Sequence, residues 1–326
     1  MNSRSTTADG ATPAVLLLVF NRPEQTRQSV QALLRERPAR LYVSGDGARP
    51  DVPTDAALIE EVWRIVHSAP WECEVKHQQA PSNLGCAPAV RAGLDWFFSQ
   101  EHRGFVLEDD VVIGEGALRL AELLLGDGEA NAQVGSITVF NTVPLPVLMD
   151  TNATYRQSLF SSSQGWGTWA ANWHGSARSL AGWREWLTRE RLRELGGRLF
   201  ERRWSAIFDA DLAEGAPVWD FTWQAHQWAT APYTLVPKVN LVENTGFAEG
   251  ATFTAQRPKW WPMSMGAWDG SFRSPRYSSV DQRADHWEGR HRYGITPMSV
   301  LRAGIASRVP QFARAYRRAR YGSVGR

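Results

Sequence analysis

The chain has 326 residues, of which 43% are apolar and 21% charged, enough for a large buried core in one domain or two intimately packed ones. Its 36 basic and 34 acidic residues leave a net charge of +2, too balanced for a dedicated nucleic-acid binder. Two cysteines, Cys73 and Cys86, rule out a disulfide framework and a cysteine zinc site. The longest aliphatic run is far short of a membrane span and no charged-then-apolar leader precedes it, so the expectation is a bacterial-style cytoplasmic protein, at most peripheral on the inner membrane.

Residues 1–12 read as a frayed tail. Ala14–Phe20 is a continuous aliphatic run, suited to a strand buried on both faces of a parallel sheet. Pro23 can open a helix to about Leu34. Arg40–Ser44 reads as a second strand ending in Gly45-Asp46-Gly47. A helix from Asp55 carries Leu58, Val62, Ile65 and Val66, followed by a weaker strand over Glu72–Gln78. Ala87–Ser99 reads as a helix and Gly104–Leu107 as a fourth strand that runs into Glu108-Asp109-Asp110. This alternation implies an α/β fold with a mostly parallel central sheet flanked by helices. Ligands of such sheets sit at the carboxyl ends of strands. Those ends hold Asn21-Arg22, Asp46 and the acidic triplet. No G-x-G-x-x-G follows the first strand and no phosphate-binding G-x-x-x-x-G-K-[ST] occurs, so a dinucleotide oxidoreductase and a P-loop NTPase are poor readings.

Three acids between the apolar runs Phe105-Val106-Leu107 and Val111-Val112-Ile113 repel one another, and a hard divalent cation, Mn2+ or Mg2+, is the usual remedy. Strand alternation predicts that Glu108 and Asp110 share a face while Asp109 points elsewhere. The competing reading is a solvated acidic turn before a helix near Glu115.

The ordered set Val19-Phe20-Asn21-Arg22-Pro23, Ser44-Gly45-Asp46-Gly47, Asn83-Leu84-Gly85-Cys86, Arg91, Trp96-Phe97-Phe98 and Phe105–Asp110 resembles the nucleotide-binding half of a GT-A glycosyltransferase. Glu108-Asp109-Asp110 resembles that superfamily's DXD motif. The chain is most similar to bacterial nucleotide-diphospho-sugar transferases and more distantly to the animal N-acetylglucosaminyltransferase I family. Gly165-Trp166-Gly167-Thr168-Trp169 and Asn240–Phe247 look like further signatures of the bacterial group. The resemblance spans about Ala14 to Thr254. It implies a Rossmann-like GT-A fold and a nucleotide diphosphate sugar donor bound by Phe20, Asn21, Arg22, Asp46, Asn83, Glu108 and Asp109. Arg22 and Asp46 would meet the base and ribose, Asp109 would lie near the ribose, and Asp110 would hold the metal. Where relatives often carry a histidine, this chain has Phe253, which cannot bind a metal.

Thirteen of the 16 tryptophans lie between Trp166 and Trp287. More than half are expected to be core. Glycines beside Trp166 suggest a backbone that lets a ligand come close to an indole wall, so Trp166, Gly167 and Trp219 are candidate acceptor-binding residues. Asp220, in Val218-Trp219-Asp220-Phe221-Thr222-Trp223, is poorly solvated, which strengthens a base; a helix N-cap is its competing reading. An inverting sugar transferase needs one carboxylate to take the acceptor's proton, and Asp220 is the first candidate. Glu185 is the second, because its Trp-acid-Trp setting resembles the base-bearing segment of the animal family. Residues 13–130 read as the nucleotide-sugar half, 131–256 as the acceptor half of the same domain, and 257–326 as a wrapping segment plus a basic C-terminal helix. Trp260–Arg292 shows no periodicity. Leu301, Ile305, Val309, Phe312 and Tyr316 form a helical seam among arginines, suited to peripheral membrane contact if the acceptor is a lipid-linked glycan. A nucleotidyltransferase would want a Gly-rich basic loop after the first strand, which Asn21-Arg22-Pro23 is not. A non-catalytic glycan-binding protein would keep tryptophan walls without needing the acids.

Overall fold

The computed structural model describes residues 11–214, 218–247, 257–262 and 264–299. The aliphatic run forms β1 (Ala14–Val19), buried at every position. Pro23 begins α1 (Pro23–Glu36), where its fixed φ suits the first turn and its missing N–H has no intrahelical role. The helix closes at Arg37 in the left-handed region (φ 53°), whose N–H donates to the Leu33 carbonyl. There follow β2 (Arg40–Gly45), α2 (Asp55–Ser68), β3 (Glu74–Gln79), α3 (Cys86–Phe98) and β4 (Arg103–Glu108). The weak third strand starts two residues later than its sequence suggests.

β1 pairs in parallel with both β2 and β4, with Val19 opposite Gly45 and Leu18 opposite Glu108. This register brings three strand ends level. Whatever follows them, Phe20–Arg22, Asp46 and Asp109-Asp110, is delivered to one edge of the sheet, which is how residues far apart in sequence become neighbours.

After the acidic turn come β5 (Val111–Ile113), α4 (Ala117–Gly128), β6 (Val134–Thr138), a 3-10 turn (Leu145–Val147), β7 (Tyr155–Ser158) and β8 (Trp166–Trp169). Next are α5 (Ala170–His174), α6 (Trp183–Trp186), α7 (Arg189–Glu214, broken at Gly197), α8 (Trp219–Ala229), β9 (Tyr233–Pro237) and β10 (Val242–Asn244). The eight-stranded sheet has the order β3-β2-β1-β4-β8-β6-β9-β7. β8 runs antiparallel to β4 and β6, and β7 antiparallel to β9, so the sheet is mixed. β10 and β5 form a separate antiparallel ribbon. The fold is α/β, with one sheet passing without a break from the first half of the sequence into the second.

One face of the sheet packs Leu17, Val43, Val62 and Leu107 against α1, α2 and α4. The other packs Leu16, Tyr42, Phe97 and Val106 with Trp166, Trp173, Trp219 and Trp223. A third cluster joins Trp183, Phe200, Trp204, Phe208 and Trp228. Nine of the thirteen clustered tryptophans are buried, at positions 166, 169, 173, 183, 204, 219, 223, 228 and 261. Large aromatic area, rather than aliphatic layering, closes this half of the molecule.

The stretch without periodicity contains a helix, α9 (Gln282–His291). Its buried residues are Ala284, Asp285, Glu288 and Gly289, so no apolar stripe marks it. Ion pairs hold it instead: Arg156 bonds both Asp285 and Glu288 at 3.0 Å. The Leu301–Tyr316 seam and Phe253 lie outside the described residues. Among the described residues no helix is long and apolar enough to cross a membrane.

Candidate active site

The acidic triplet is held from three directions. The Phe20 N–H donates to Asp109 Oδ2 at 3.2 Å. Arg22 Nη1 donates to Asp110 Oδ2 at 3.0 Å and lies 3.7 Å from Asp109 Oδ1. Ser29, from α1, donates its hydroxyl to the carbonyls of Asp109 (2.8 Å) and Val111 (3.1 Å). The expected alternation therefore fails beyond Glu108. β4 ends there and the chain turns, so Asp109 and Asp110 both meet Arg22 instead of facing opposite ways.

The fourth clamp is the turn after β10. The Thr245 N–H donates to the Asp110 carbonyl at 2.8 Å. The Asn244 side chain accepts from the Gly246 N–H at 2.8 Å and donates to Gln164 Oε1 at 2.9 Å. A Cβ at Gly246 would overlap Asp110 Oδ2, so a side chain here would push the Asp110 carboxylate aside. Sequence reasoning quoted this Asn-Thr-Gly run as a signature without a role; its role is to seat Asp110. Ser29 and Gln164 carried no signal.

Burial makes the cluster electrically unfavourable. It pushes the Asp109 carboxyl up to about 7 against the nearby Arg22 charge. Glu108 is raised first by burial and then by the carboxylates of Asp110, Asp109 and Asp220. Asp110 is also raised by burial, with Arg22 and Asn244 opposing. Among the described residues, Asp110 Oδ1 is buried with no hydrogen-bond partner. Such an orphan acceptor is costly unless a cation or donor arrives.

Asp46 is buried and fully occupied. Its Oδ1 accepts from the N–H groups of Gly47 and Leu84, both at 2.8 Å, and its Oδ2 from Asn83 Nδ2 (2.9 Å) and the Gly85 N–H (3.1 Å). Asn83 also donates to the Gly47 carbonyl at 2.9 Å. The pair thus locks the loop that starts α3, where Cys86 feels the charges of Glu108, Asp220, Arg22 and Asp46. Asn21 donates to Asp55 Oδ1 at 2.7 Å. Arg49 pairs with Asp55 at 2.7 Å and lies 5.4 Å from the Phe20 ring centroid. The segment after β1 is thereby rigid before any ligand arrives.

Asp220 lies in the first turn of α8, whose N-cap is Val218. It is therefore not the cap, and its carboxylate is not consumed in that role. Among the described residues, Asp220 Oδ1 is buried and has no hydrogen-bond partner. Burial raises this carboxyl, while the Arg292 guanidinium opposes the rise. Arg292, just past α9, bonds Glu288 at 2.9 Å and stacks over Trp260 and Tyr293 at 5.3 and 4.9 Å. Nothing in the sequence pointed to Arg292, because the segment that delivers it has no apolar period. Glu185 sits exposed on α6, whose Trp183 packs against Phe208 at 5.2 Å; the fold gathers Asp220 with Glu108 and leaves Glu185 at the surface.

The expected acceptor wall is core. Trp166 is 2% exposed and stacks against Trp219 (5.7 Å) and Trp223 (5.4 Å). A Cβ at Gly167 would lie 2.7 Å from the Gly104 carbonyl oxygen, so this glycine serves the β4–β8 pairing. Trp219 is also buried. Trp166 thus packs on Trp219 and Trp223.

Among the described residues no group of three or more His, Cys, Asp or Glu side chains surrounds a common metal position. What the cluster does offer is one unpaired carboxylate oxygen, Asp110 Oδ1, beside Arg22. That fits a hard divalent ion completing its shell with phosphate oxygens and water.

No family model and no curated protein matches the chain. Among solved structures, the mannosyltransferase PcManGT from Pyrobaculum calidifontis, in complex with GDP-Man and Mn2+, is similar at a TM-score of 0.33 and 12% identity, covering 70% of this chain and 57% of that one. The bifunctional glycosyltransferase WbbM in its apo form is similar at a TM-score of 0.32 and 10% identity, covering 57% of this chain and 35% of that one. The chain spans less than two thirds of either. A likeness at this level says nothing of substrate.

Proposed function

We propose that the chain is a glycosyltransferase that moves a sugar from a nucleotide diphosphate donor to a hydroxyl of a glycan or glycoconjugate, with inversion. The observation that carries this reading is that two buried carboxylate oxygens, Asp110 Oδ1 and Asp220 Oδ1, have no hydrogen-bond partner among the described residues, and that both carboxylates are close enough to raise the Glu108 carboxyl. One suits a cation at a diphosphate and the other a proton acceptor. Arg22 binds the diphosphate end of the donor, and the hydrogen-bonded Phe20–Arg22 and Asn83–Gly85 loops frame the nucleoside. Asp46 acts by holding the second loop. A divalent ion held by Asp110 would supply charge neutralisation of the departing diphosphate.

In the reaction, the acceptor oxygen attacks the anomeric carbon as the bond from that carbon to the phosphate oxygen breaks. The electron pair leaves with the diphosphate and the acceptor's proton passes to Asp220. Burial raises the Asp220 carboxyl, which makes it the better base, while the Arg292 charge opposes the rise.

Thermal melting with nucleoside diphosphates, with and without Mn2+, tests the proposal. The parent should gain stability only when both are present, by about 3–4 kcal/mol at a few hundred times Kd, and Asp110→Ala should gain none. A parent indifferent to every nucleoside diphosphate, or an Asp110→Ala protein stabilised equally, would overturn it.

A further inference from the structure

We infer that the outward face of α9 binds the surface of an anionic lipid bilayer, independently of what the carboxylates around Glu108 do. α9 turns its acids inward. Asp285 accepts from Arg156 (3.0 Å), Ser158 (2.6 Å) and the Leu159 N–H (2.8 Å), and Glu288 takes Arg156 and Arg292 at 3.0 and 2.9 Å. With both carboxylates neutralised inside, the outward side keeps Arg283, His286, Trp287, Arg290 and His291, which line a groove of about 450 Å³ holding no acidic side chain.

Two further features favour a lipid surface over a soluble polyanion. Trp287 is half-buried and stacks on His291 at 4.3 Å, the amphipathic placement that indoles take at a membrane interface. Leu145 and Met149, 48% and 42% exposed, project from the loop that packs on α9. That loop is fixed to the helix, since Asp281 caps α9 through the Ala284 N–H and also accepts the Met149 N–H at 2.8 Å. The neighbouring acid, Asp150, is turned in, 11% exposed and bonded to the N–H groups of Asn152, Ala153 and Arg276. Beyond Ser299 the sequence adds seven arginines and no acid, so the charge continues along the chain. Exposed apolar side chains beside clustered arginines meet an anionic headgroup layer with both its charge and its hydrocarbon boundary.

Vesicle flotation of the full chain tests the inference, using phosphatidylcholine with and without phosphatidylglycerol. The parent should float only with phosphatidylglycerol and should be released by salt. Each arginine contributes about fivefold to such binding, so R283Q/R290Q should bind roughly 25-fold more weakly with an unchanged melting temperature, while R283K/R290K binds as the parent does. R314Q/R317Q/R318Q, which weakens the tail alone, should leave the effect of R283Q/R290Q intact. If R283Q/R290Q melts early, R290Q alone carries the test, with a loss of about fivefold. The inference is overturned if R283Q/R290Q floats like the parent, if the parent ignores phosphatidylglycerol at low salt, or if it binds dextran sulfate and not vesicles.

Discussion

The β3-β2-β1-β4 side of the sheet and the β8-β6-β9-β7 side treat their polar atoms differently. On the first side two buried acids are saturated: Asp46 after β2 accepts four donors, and Asp55 at the start of α2 takes Arg49 and Asn21. Asp110 Oδ1 stands out against that background. The second side closes by aromatic shape, leaving the indole N–H groups of Trp169, Trp204 and Trp223 unpartnered alongside Asp220 Oδ1. The contrast teaches that one side is a preorganised frame in which a ligand completes the hydrogen bonding. The other is an apolar shell that makes a lone carboxylate basic.

The largest effect that sharpens this contrast is at Asp220. Asp220→Asn should lower turnover by about 10²–10⁴-fold while leaving nucleotide-stimulated melting unchanged. Near-normal turnover, with the loss appearing in Glu185→Gln, would move the base to α6. Next is Trp166→Ala, expected to destabilise the fold by ~3–5 kcal/mol in urea unfolding because the indole fills a space between Trp219 and Trp223. If instead it leaves stability intact and weakens acceptor binding, the aromatic half is a ligand wall after all.

Gly246→Ala probes the frame. The new methyl must displace the Asp110 carboxylate, so Mn2+-dependent nucleotide affinity should fall about tenfold or more, with a stability change within ~1 kcal/mol. The smallest effect concerns Asp55, whose carboxyl is held near 2, chiefly by its hydrogen bonds with Arg49. A folded-state value below the unfolded one gives stability that is present above about pH 4 and lost as pH falls towards 2. Asp55→Asn should therefore cost on the order of 1 kcal/mol at pH 7 and progressively less as pH falls through 2, flattening the acid limb of the melting curve.

Most of the first half was legible because its signals are local. An aliphatic run, a proline at a helix start and crossovers of ordinary length leave few ways to arrange four parallel strands, and Phe20, Arg22, Asp46 and Asp110 then reach one edge by register alone. The second half was legible only as aromatic excess. Trp166 and Gly167 looked like a ligand wall because glycine beside tryptophan is ambiguous between close approach to a ligand and close approach to another strand. Here the Gly104 carbonyl decides it.

By itself the sequence determined the α/β alternation, the acidic strand end and the tryptophan-rich half, since each depends on residues within a few positions of one another. Tertiary structure alone decided that β8 inserts between β4 and β6 and that the Asn244–Gly246 turn seats Asp110. It alone brought Arg292 to Asp220, on a helix stabilised by buried ion pairs with no apolar stripe. Those outcomes depend on contacts between residues 28 or more positions apart, where the energy lies in complementary charge and shape and leaves no period in the chain.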